Sequence, residues 1–577
     1  MMNTDLAALD EGAEFDLVVA GAGSGGMAAA AFAALAGKRV LLVESTEYLG
    51  GTSAMSAATA WLPNSQHAPK VAPPGSPDAD SPQRVRAFLD AVVGNRTAAD
   101  VRDAFIESAP KAVALLESKS DVHFRPYATH PDYEQDPPEA TMRGRAVEPV
   151  PFDARVLGDD IELIRPPIPE FCLFDGMMID RTDIGHLLKI TKEWASFKYA
   201  AGILLHYGID KLKGRRGTRL VMGNALIGRM LLPLRRNGAA IVTRTSVEQL
   251  LTGPDGVNGV VLVSGSQRRT VKAKHGVVLA AGGFNRHKTR RAEMLPQPTP
   301  EFSPGAPGHT GQLQDLALKL GAKFSTTDFQ PAFWAPCSTR KRKDGSIAVF
   351  PHFVMDRSKP GTVCVNQAGQ RFVNESTSYH LFGKAMFEQN QVSPCIPCWI
   401  VTDAPGLRKY GLGMVRMGTK NIQPFLDDFY LLEGKTVAEL ARKIGVPAVH
   451  LEQTVANMNA YANTGVDPEF GRGRTAYHRV NGDATSTGPN PTLGPIATAP
   501  YYAVKLIPGD IGPATGLVID RDAQVLGADD QPIKGLYACG GEAASMMGGT
   551  YPGPGITIGP AIAFAYRAVQ HAFGPPA

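Results

Sequence analysis

Two glycine-rich stretches at opposite ends of the chain carry the residues best suited to chemistry. Gly21-Ala22-Gly23-Ser24-Gly25-Gly26 has the spacing of a dinucleotide-phosphate cradle. Gly21 permits a tight turn, Gly23 lets a pyrophosphate approach the backbone, and Gly26 lets a helix pack close. Tyr551-Pro552-Gly553-Pro554-Gly555 sets a phenol and a backbone amide close together. Such a pair can donate two hydrogen bonds to one carbonyl oxygen and stabilise the charge that develops on it. Together the stretches imply redox chemistry, on a bound dinucleotide, next to a ketone.

The elements around the first stretch support that reading. Phe15 to Ala20 is a short apolar run, the mark of a buried parallel strand. An alanine-rich helix is expected from Met27 to Ala36, closed by Gly37, then a strand from Arg39 to Val43 that ends in Glu44. Ser24 and Gly25 stand at the helix start, where free N–H groups and the dipole favour phosphate. Glu44, 18 residues after Gly26, is placed to accept bonds from ribose hydroxyls, with Ser45 beside it. The alternative is an ordinary strand–helix turn with no ligand. Strand, turn, helix, strand and acid in that order favour the cradle.

FAD rather than NAD is indicated by a second loop. Leu49-Gly50-Gly51-Thr52-Ser53 resembles the FAD-binding loop of the fumarate-reductase-like flavoproteins. Gly276 to Phe284, with Ala281, Gly282 and Gly283, repeats the theme of a strand running into paired glycines. Gly535 to Glu542 resembles the third FAD segment of that class. Three segments so far apart imply an α/β fold: a Rossmann-like, doubly wound FAD-binding domain interrupted by an α+β substrate domain. The expected division is 13–330 and 501–577 for the FAD domain and 331–500 for the insertion. Gly253-Pro254-Asp255-Gly256 predicts a hairpin in a small β-meander before the Gly-Gly strand.

Composition narrows the partners. The chain has 577 residues, 59 basic against 55 acidic, and a net charge of +4, which gives no basis for a nucleic-acid partner. Six cysteines in so long a chain are no disulfide framework. Cys395-Ile396-Pro397-Cys398 leads into a strand-like run, has no second CxxC to complete a zinc site, and reads as structural; no metal is expected. The first fourteen residues lack the charge pattern and apolar core of a secretion signal, and no apolar run reaches membrane-spanning length. A cytoplasmic protein is the expectation. Apolar spacing predicts helices over 84–93 and 98–116, and a mostly helical stretch over 182–212. That stretch reads as a core helix, with a lid or a peripheral membrane contact as the alternative.

Over nearly its whole length the chain resembles the 3-ketosteroid dehydrogenases, the Δ1-dehydrogenases above all. The resemblance is carried by Gly50 to Ser53, Trp61-Leu62-Pro63-Asn64, Asp132-Tyr133 and Gly144 to Pro149. It continues through Gly217 to Leu226, Arg371-Phe372-Val373-Asn374-Glu375 with Tyr379, and Tyr551 to Ala561. It implies that Tyr551 and the amide of Gly555 hold the steroid 3-carbonyl, that Tyr379 is the base, and that Tyr133 supports it. Further cofactor contacts are implied at Val247, Ala281, Gly282, Gly541, Glu542 and Ile556. A quinone-type or artificial electron acceptor is expected.

These residue types suit desaturation of a ketone, which removes an α-proton and a β-hydride. A tyrosine has an ordinary pKa of about 10, so Tyr379 needs a donor such as Tyr133 to act as phenolate. The chain departs from the family at Gly541-Glu542, where asparagine is frequent, and at Gly512-Pro513-Ala514-Thr515-Gly516. The stretch 156–216 is also longer than in short members. The alternatives are desaturation of another cyclic ketone or of a 5α-3-ketosteroid at Δ4, fumarate reduction, and an inactive flavin-binding protein.

Overall fold

The computed structural model describes residues 5–174, 176–214, 216–326 and 329–574. Leu17–Ala20 and Val40–Val43 are wholly buried apolar runs, which form parallel strands covered on both faces. They pair in parallel at the heart of a six-stranded sheet. Its order is Gln524–Leu526, Pro532–Ala538, Val277–Leu279, Leu17–Ala20, Val40–Val43, Ala240–Val242. Only the edge strand Gln524–Leu526 runs antiparallel to its neighbour. This is the doubly wound layout that the glycine segments imply. The helix Ser24–Leu35 is buried along almost its entire length, and its alanines let it lie close against the helices Ile558–Phe573 and Met222–Arg236. The expected meander is present, with Gly253 opposite Gly256 at its hairpin.

A second sheet runs Ile347–Pro351, Ala332–Lys341, Tyr501–Pro513, Cys398–Asp403, Thr362–Val365. Here the expected division at 500/501 is corrected. Tyr501–Pro513 is the central strand of this sheet, antiparallel to both Ala332–Lys341 and Cys398–Asp403. The chain therefore returns to the cofactor layer only after Pro513. A strand with both edges paired belongs to the sheet that satisfies its backbone, and glycine spacing does not report such pairing. Cys395 and Cys398 are buried, and Cys398 opens a strand.

Helices form at Pro82–Val93 and Ala99–Lys119, close to the expected ranges. Residues 182–212 fold mainly as two helices, Arg181–Leu187 and Trp194–Leu212. The second is not the core helix expected, because Trp194, Phe197, Leu205 and Leu212 face solvent. Periodicity shows that an apolar stripe exists; it does not show which way the stripe points. Among the described residues no helix is long and apolar enough to cross a membrane.

Candidate active site

A cavity of about 590 Å³ joins the two layers. One end is lined by Gly23, Ser24, Gly25, Glu44, Ser45, Gly51, Thr52 and Ser53, with Ala281, Gly282, Gly541 and Ile556. Gly21 and Gly26 do not line it but shape it. A Cβ on Gly21, at φ +104°, would sit 2.5 Å from the Ala280 backbone, and one on Gly26 would sit 1.8 Å from the Gly21 carbonyl. These two glycines press the helix onto the strands. Gly23 is different: a Cβ there would meet nothing in the protein closer than the Ala280 carbonyl oxygen at 3.9 Å. Its missing side chain leaves room for a ligand at the helix start.

Glu44 is fixed from both sides. One carboxylate oxygen accepts the Ala22 N–H at 3.1 Å, and the other accepts the Thr46 N–H and hydroxyl at 2.8 Å each. The Ser53 hydroxyl accepts the Ser24 N–H at 3.2 Å, tying the second glycine loop to the first.

Two further residues at this end escaped the sequence reading. Arg165 is buried, donates to the Thr46 hydroxyl at 2.7 Å, and has a buried Nε with no hydrogen-bond partner. Burial holds its pKa down against the opposing pull of Glu44 and Glu47. His309 lies beside the Thr52 hydroxyl at 3.3 Å; burial, then Arg286 and Arg165, push it down to about 4. An anion answers the Arg165 cation, and a dinucleotide pyrophosphate brings one. Both residues come from loops whose place at the cradle depends on tertiary contacts: Ile164 bridges to Leu49, and Gly308 approaches Ser45. With the open cradle at Gly23 and the cavity-lining carboxylate of Glu44, these residues fit FAD.

Besides Gly21 and Gly26, two more expected contacts lie off the cavity lining. Val247 is buried in the meander, and its carbonyl accepts Gln312 Nε2 at 3.0 Å. Glu542 is fully buried; one of its oxygens accepts the Gly283 N–H at 3.0 Å and the other has no partner. Burial pushes its pKa up to about 7. The folded protein thus keeps a proton that the unfolded chain releases at its ordinary, lower pKa, so stability falls as pH rises toward 7. A Glu542→Gln variant of the flavin-free protein will show a flatter profile over that window. At pH 8 it will gain up to about 3 kcal/mol over the parent chain, at roughly 1.4 kcal/mol per pKa unit. Denaturant titrations across pH settle the point; parallel pH profiles for the two proteins would refute it.

The other end of the cavity carries the phenols. Tyr133, Tyr379, Tyr551 and Gly555 all line it. Ring centroids are 5.5 Å apart for Tyr133–Tyr379, 5.1 Å for Tyr379–Tyr551 and 5.8 Å for Tyr133–Tyr551. The Tyr133 hydroxyl donates to that of Tyr379 at 3.5 Å, a long contact. Phe353 and Phe333 pack edge-on against Tyr379 and Tyr551. Tyr477, which the sequence reading did not single out, stands 4.9 Å from the Tyr133 ring with its buried hydroxyl unpartnered. Burial, and then the neighbouring phenols, raise Tyr379 and Tyr133 well above the ordinary value. The expected lowering of Tyr379 by Tyr133 does not appear: Tyr133 adds to the rise that burial causes.

Each phenol is held by a distinct device. Tyr379 opens the helix Tyr379–Asn390, capped by the Ser378 hydroxyl. The turn before it is braced by Arg371, which takes both oxygens of Glu375 and both of Asp467, and by Arg472 against Glu375. Burial opposes the Glu375 charge, but Arg371 and Arg472 hold its pKa below the ordinary value. Asp132 takes the Trp61 indole N–H and Arg145, each at 2.9 Å, and the Tyr133 N–H donates to the Pro552 carbonyl at 2.7 Å. The Trp61 backbone N–H donates to the Gly555 carbonyl at 3.1 Å. One buried network thus sets Tyr133 against the C-terminal loop. Gly555 has φ +84°, and a Cβ would lie 2.2 Å from the Thr59 carbonyl, so only glycine keeps this turn.

A phosphate cradle continuous with a cluster of phenols defines a flavin-dependent oxidoreductase. The chain belongs to the FAD-binding-domain family, whose model matches residues 16–558, and is an FAD-dependent dehydrogenase. It is 35% identical to a 4-oxocyclohex-2-ene-1-carboxylate 5-dehydrogenase of Sinomonas cyclohexanicum, covering 96% of this chain and 92% of that one. It is 33% identical to a 3-oxosteroid 1-dehydrogenase of Mycolicibacterium smegmatis, covering 96% of this chain and 97% of that one. The 3-ketosteroid Δ1-dehydrogenase of Sterolibacterium denitrificans, solved with 1,4-androstadiene-3,17-dione, superposes with a TM-score of 0.89 at 34% identity. That match covers 97% of this chain and 99% of that one.

Proposed function

We propose that the protein desaturates the A-ring of a 3-ketosteroid between C1 and C2. The observation that carries this reading is the meeting of three phenols and the Gly555 turn on one cavity whose other end is the FAD cradle. The 3-oxosteroid 1-dehydrogenase relatives support the substrate class. The Tyr551 hydroxyl and the Gly555 N–H hold the ketone oxygen and stabilise the enolate that develops there. Tyr379 takes the α-proton on its phenol oxygen. Tyr133 donates to Tyr379 as that oxygen turns anionic. FAD supplies the acceptor for the β-hydride, its N5. A quinone-type acceptor then reoxidises the enzyme. A second reading, desaturation of a monocyclic ketone by the same four residues, is favoured by the Sinomonas relative.

A base whose pKa is raised is mostly protonated at neutral pH. The rate of flavin reduction will therefore climb with pH from 7 to 9, about tenfold per unit while Tyr379 titrates. Within a coupled cluster, whichever phenol ionises first is held by donation from its neighbours. Tyr133→Phe removes one donor, so the whole profile will move to higher pH with a modest loss of rate at its plateau. Single-turnover reduction over a pH series reads both; a flat profile would remove Tyr379 from the role of base. Tyr551→Phe deletes one of the two donors to the ketone and will slow reduction roughly a hundred- to a thousandfold. It will also weaken ketone binding, since the ground-state carbonyl already accepts that bond. Unchanged binding and rate would show that Tyr551 only packs.

A further inference from the structure

Behind one wall of the cavity lies a buried polar chain that the proposed chemistry does not use. His352 Nδ1 donates to Asp356 Oδ2 at 2.6 Å, and its Nε2 stands 2.7 Å from the Ser338 hydroxyl. Ser338 meets the Tyr430 hydroxyl at 2.8 Å, and that hydroxyl accepts the Met414 N–H at 2.8 Å. Asp356 Oδ2 also accepts the Gly413 N–H at 3.1 Å. All four side chains are buried. Carboxylate, imidazole and hydroxyl stand in the order of a nucleophile triad. Ser338 does not line the cavity, and its hydroxyl is enclosed by His352 and Tyr430, so no substrate reaches it. Nor is stability a sufficient reason for the chain, since a buried ion pair often adds little over apolar groups of the same volume.

Its position supplies the reason. His352 and Asp356 stand at the two ends of a short turn, and the three residues between them, Phe353, Val354 and Met355, all line the cavity. Phe353 packs edge-on against Tyr379 with 5.0 Å between ring centroids, and Met355 is 61% exposed. Three residues thus run from the phenols to solvent. They belong to no helix or strand, and the backbone bond from the Ser358 N–H to the Val354 carbonyl is long, at 3.3 Å. Arg357 ties the turn to the one before Tyr379, donating from Nε to the His352 carbonyl at 3.0 Å and from Nη1 to the Glu375 carbonyl at 2.7 Å. Burial opposes the Asp356 charge, but His352 and then Arg357 hold its pKa far below the ordinary value.

We propose that His352 and Asp356 form a clasp across this turn, which fixes the Phe353–Met355 wall and so sets the affinity for a ketone wide enough to reach from the phenols to the mouth. The consequence for substrate rests on the ketone reading above. Neither residue lines the cavity, so both are positioning residues. A polycyclic ketone lies along the whole wall and gains from having it fixed beforehand. A monocyclic ketone reaches little beyond the phenols, which have supports of their own.

The test compares the holoenzyme with its His352→Ala, Asp356→Ala and Asp356→Asn variants. Ketone binding is titrated in the flavin spectrum, and the limiting rate is read from single-turnover reduction. In both alanine variants the dissociation constant for a 3-ketosteroid will rise at least about tenfold, the scale of a lost hydrogen bond to a charged group, while the limiting rate and the binding of a cyclohexanone-type ketone change less than about threefold. Asp356→Asn keeps an acceptor for His352 and will recover most of the steroid affinity. Equal losses for the two ketones, a loss of limiting rate with steroid affinity intact, or no difference between Asn and Ala at 356 would overturn the proposal. The clasp is also read without ketone: hydrogen exchange of the amides in 353–358 will quicken at least about tenfold in Asp356→Ala and stay near parental in Asp356→Asn. Unchanged exchange would overturn the clasp even where every ketone reacts, and quickened exchange in a protein that binds no ketone would leave the clasp standing and the ketone reading fallen. Should an alanine variant fail to fold, Ser338→Ala cuts the same chain one link away and will move exchange and steroid affinity the same way by a smaller factor. Parental values of both in Ser338→Ala would overturn the proposal.

Discussion

Tyr379→Phe enzyme will bind its ketone and yet reduce its flavin orders of magnitude more slowly than the parent. The substitution removes a single oxygen from a buried ring that packs on Tyr551 and Phe353, so the wall of the cavity keeps its shape. What is lost is the acceptor of the α-proton. A positioned base contributes about a hundred- to ten-thousandfold. The turn carrying residue 379 is set by Arg371, Glu375, Asp467 and Arg472, none of which the substitution touches. Ligand titration and single-turnover reduction on the same preparation separate the two effects. A Tyr379→Phe protein that reduces its flavin at the parental rate would end the assignment of the base.

Gly23→Val will leave the protein folded and empty of FAD. The prediction depends on a contrast within one turn. Side chains at Gly21 or Gly26 would collide with backbone at 2.5 Å or less, so those changes disturb the fold itself. At Gly23 the protein leaves a Cβ free, and the space it would fill is the approach to the helix start. A valine there obstructs the pyrophosphate and nothing else. Circular dichroism and thermal unfolding will report a folded chain, and absorbance will report no flavin. Full flavin content in the variant would show that the cofactor's phosphates lie elsewhere. The bound flavin is also expected to be noncovalent, so acid precipitation will leave the yellow colour in the supernatant.

The cofactor layer was legible because its signals are local. Strand, glycine turn, alanine-rich helix and terminal acid follow one another within thirty-odd residues, and each leaves its own mark on composition. The phenol cluster was legible only through resemblance. Tyr133, Tyr379 and Tyr551 lie hundreds of positions apart, and no periodicity brings them together. Arg165 and His309, which line the cavity, and Tyr477, which packs on the Tyr133 ring, were not seen because each takes its place through tertiary packing. A lone arginine, histidine or tyrosine in a loop carries no sign of the partner it will meet. The boundary at Tyr501 was misplaced for a related reason, since strand pairing is a long-range fact. The raised pKa of Tyr379 could not be read either, because burial sets it and burial belongs to the fold.

The central claim is that the cavity removes hydride and proton from a 3-ketosteroid. Anaerobic addition of such a steroid to the holoenzyme, followed in the visible flavin band, tests it most directly. Cyclohexanone-type ketones and fumarate run alongside as comparisons. The account predicts rapid bleaching with the 3-ketosteroid, formation of the Δ1 product, and no reaction of reduced enzyme with fumarate. A flavin band that stays intact with 3-ketosteroids but bleaches with a monocyclic ketone would contradict the steroid assignment. A band that no ketone bleaches would contradict the claim altogether.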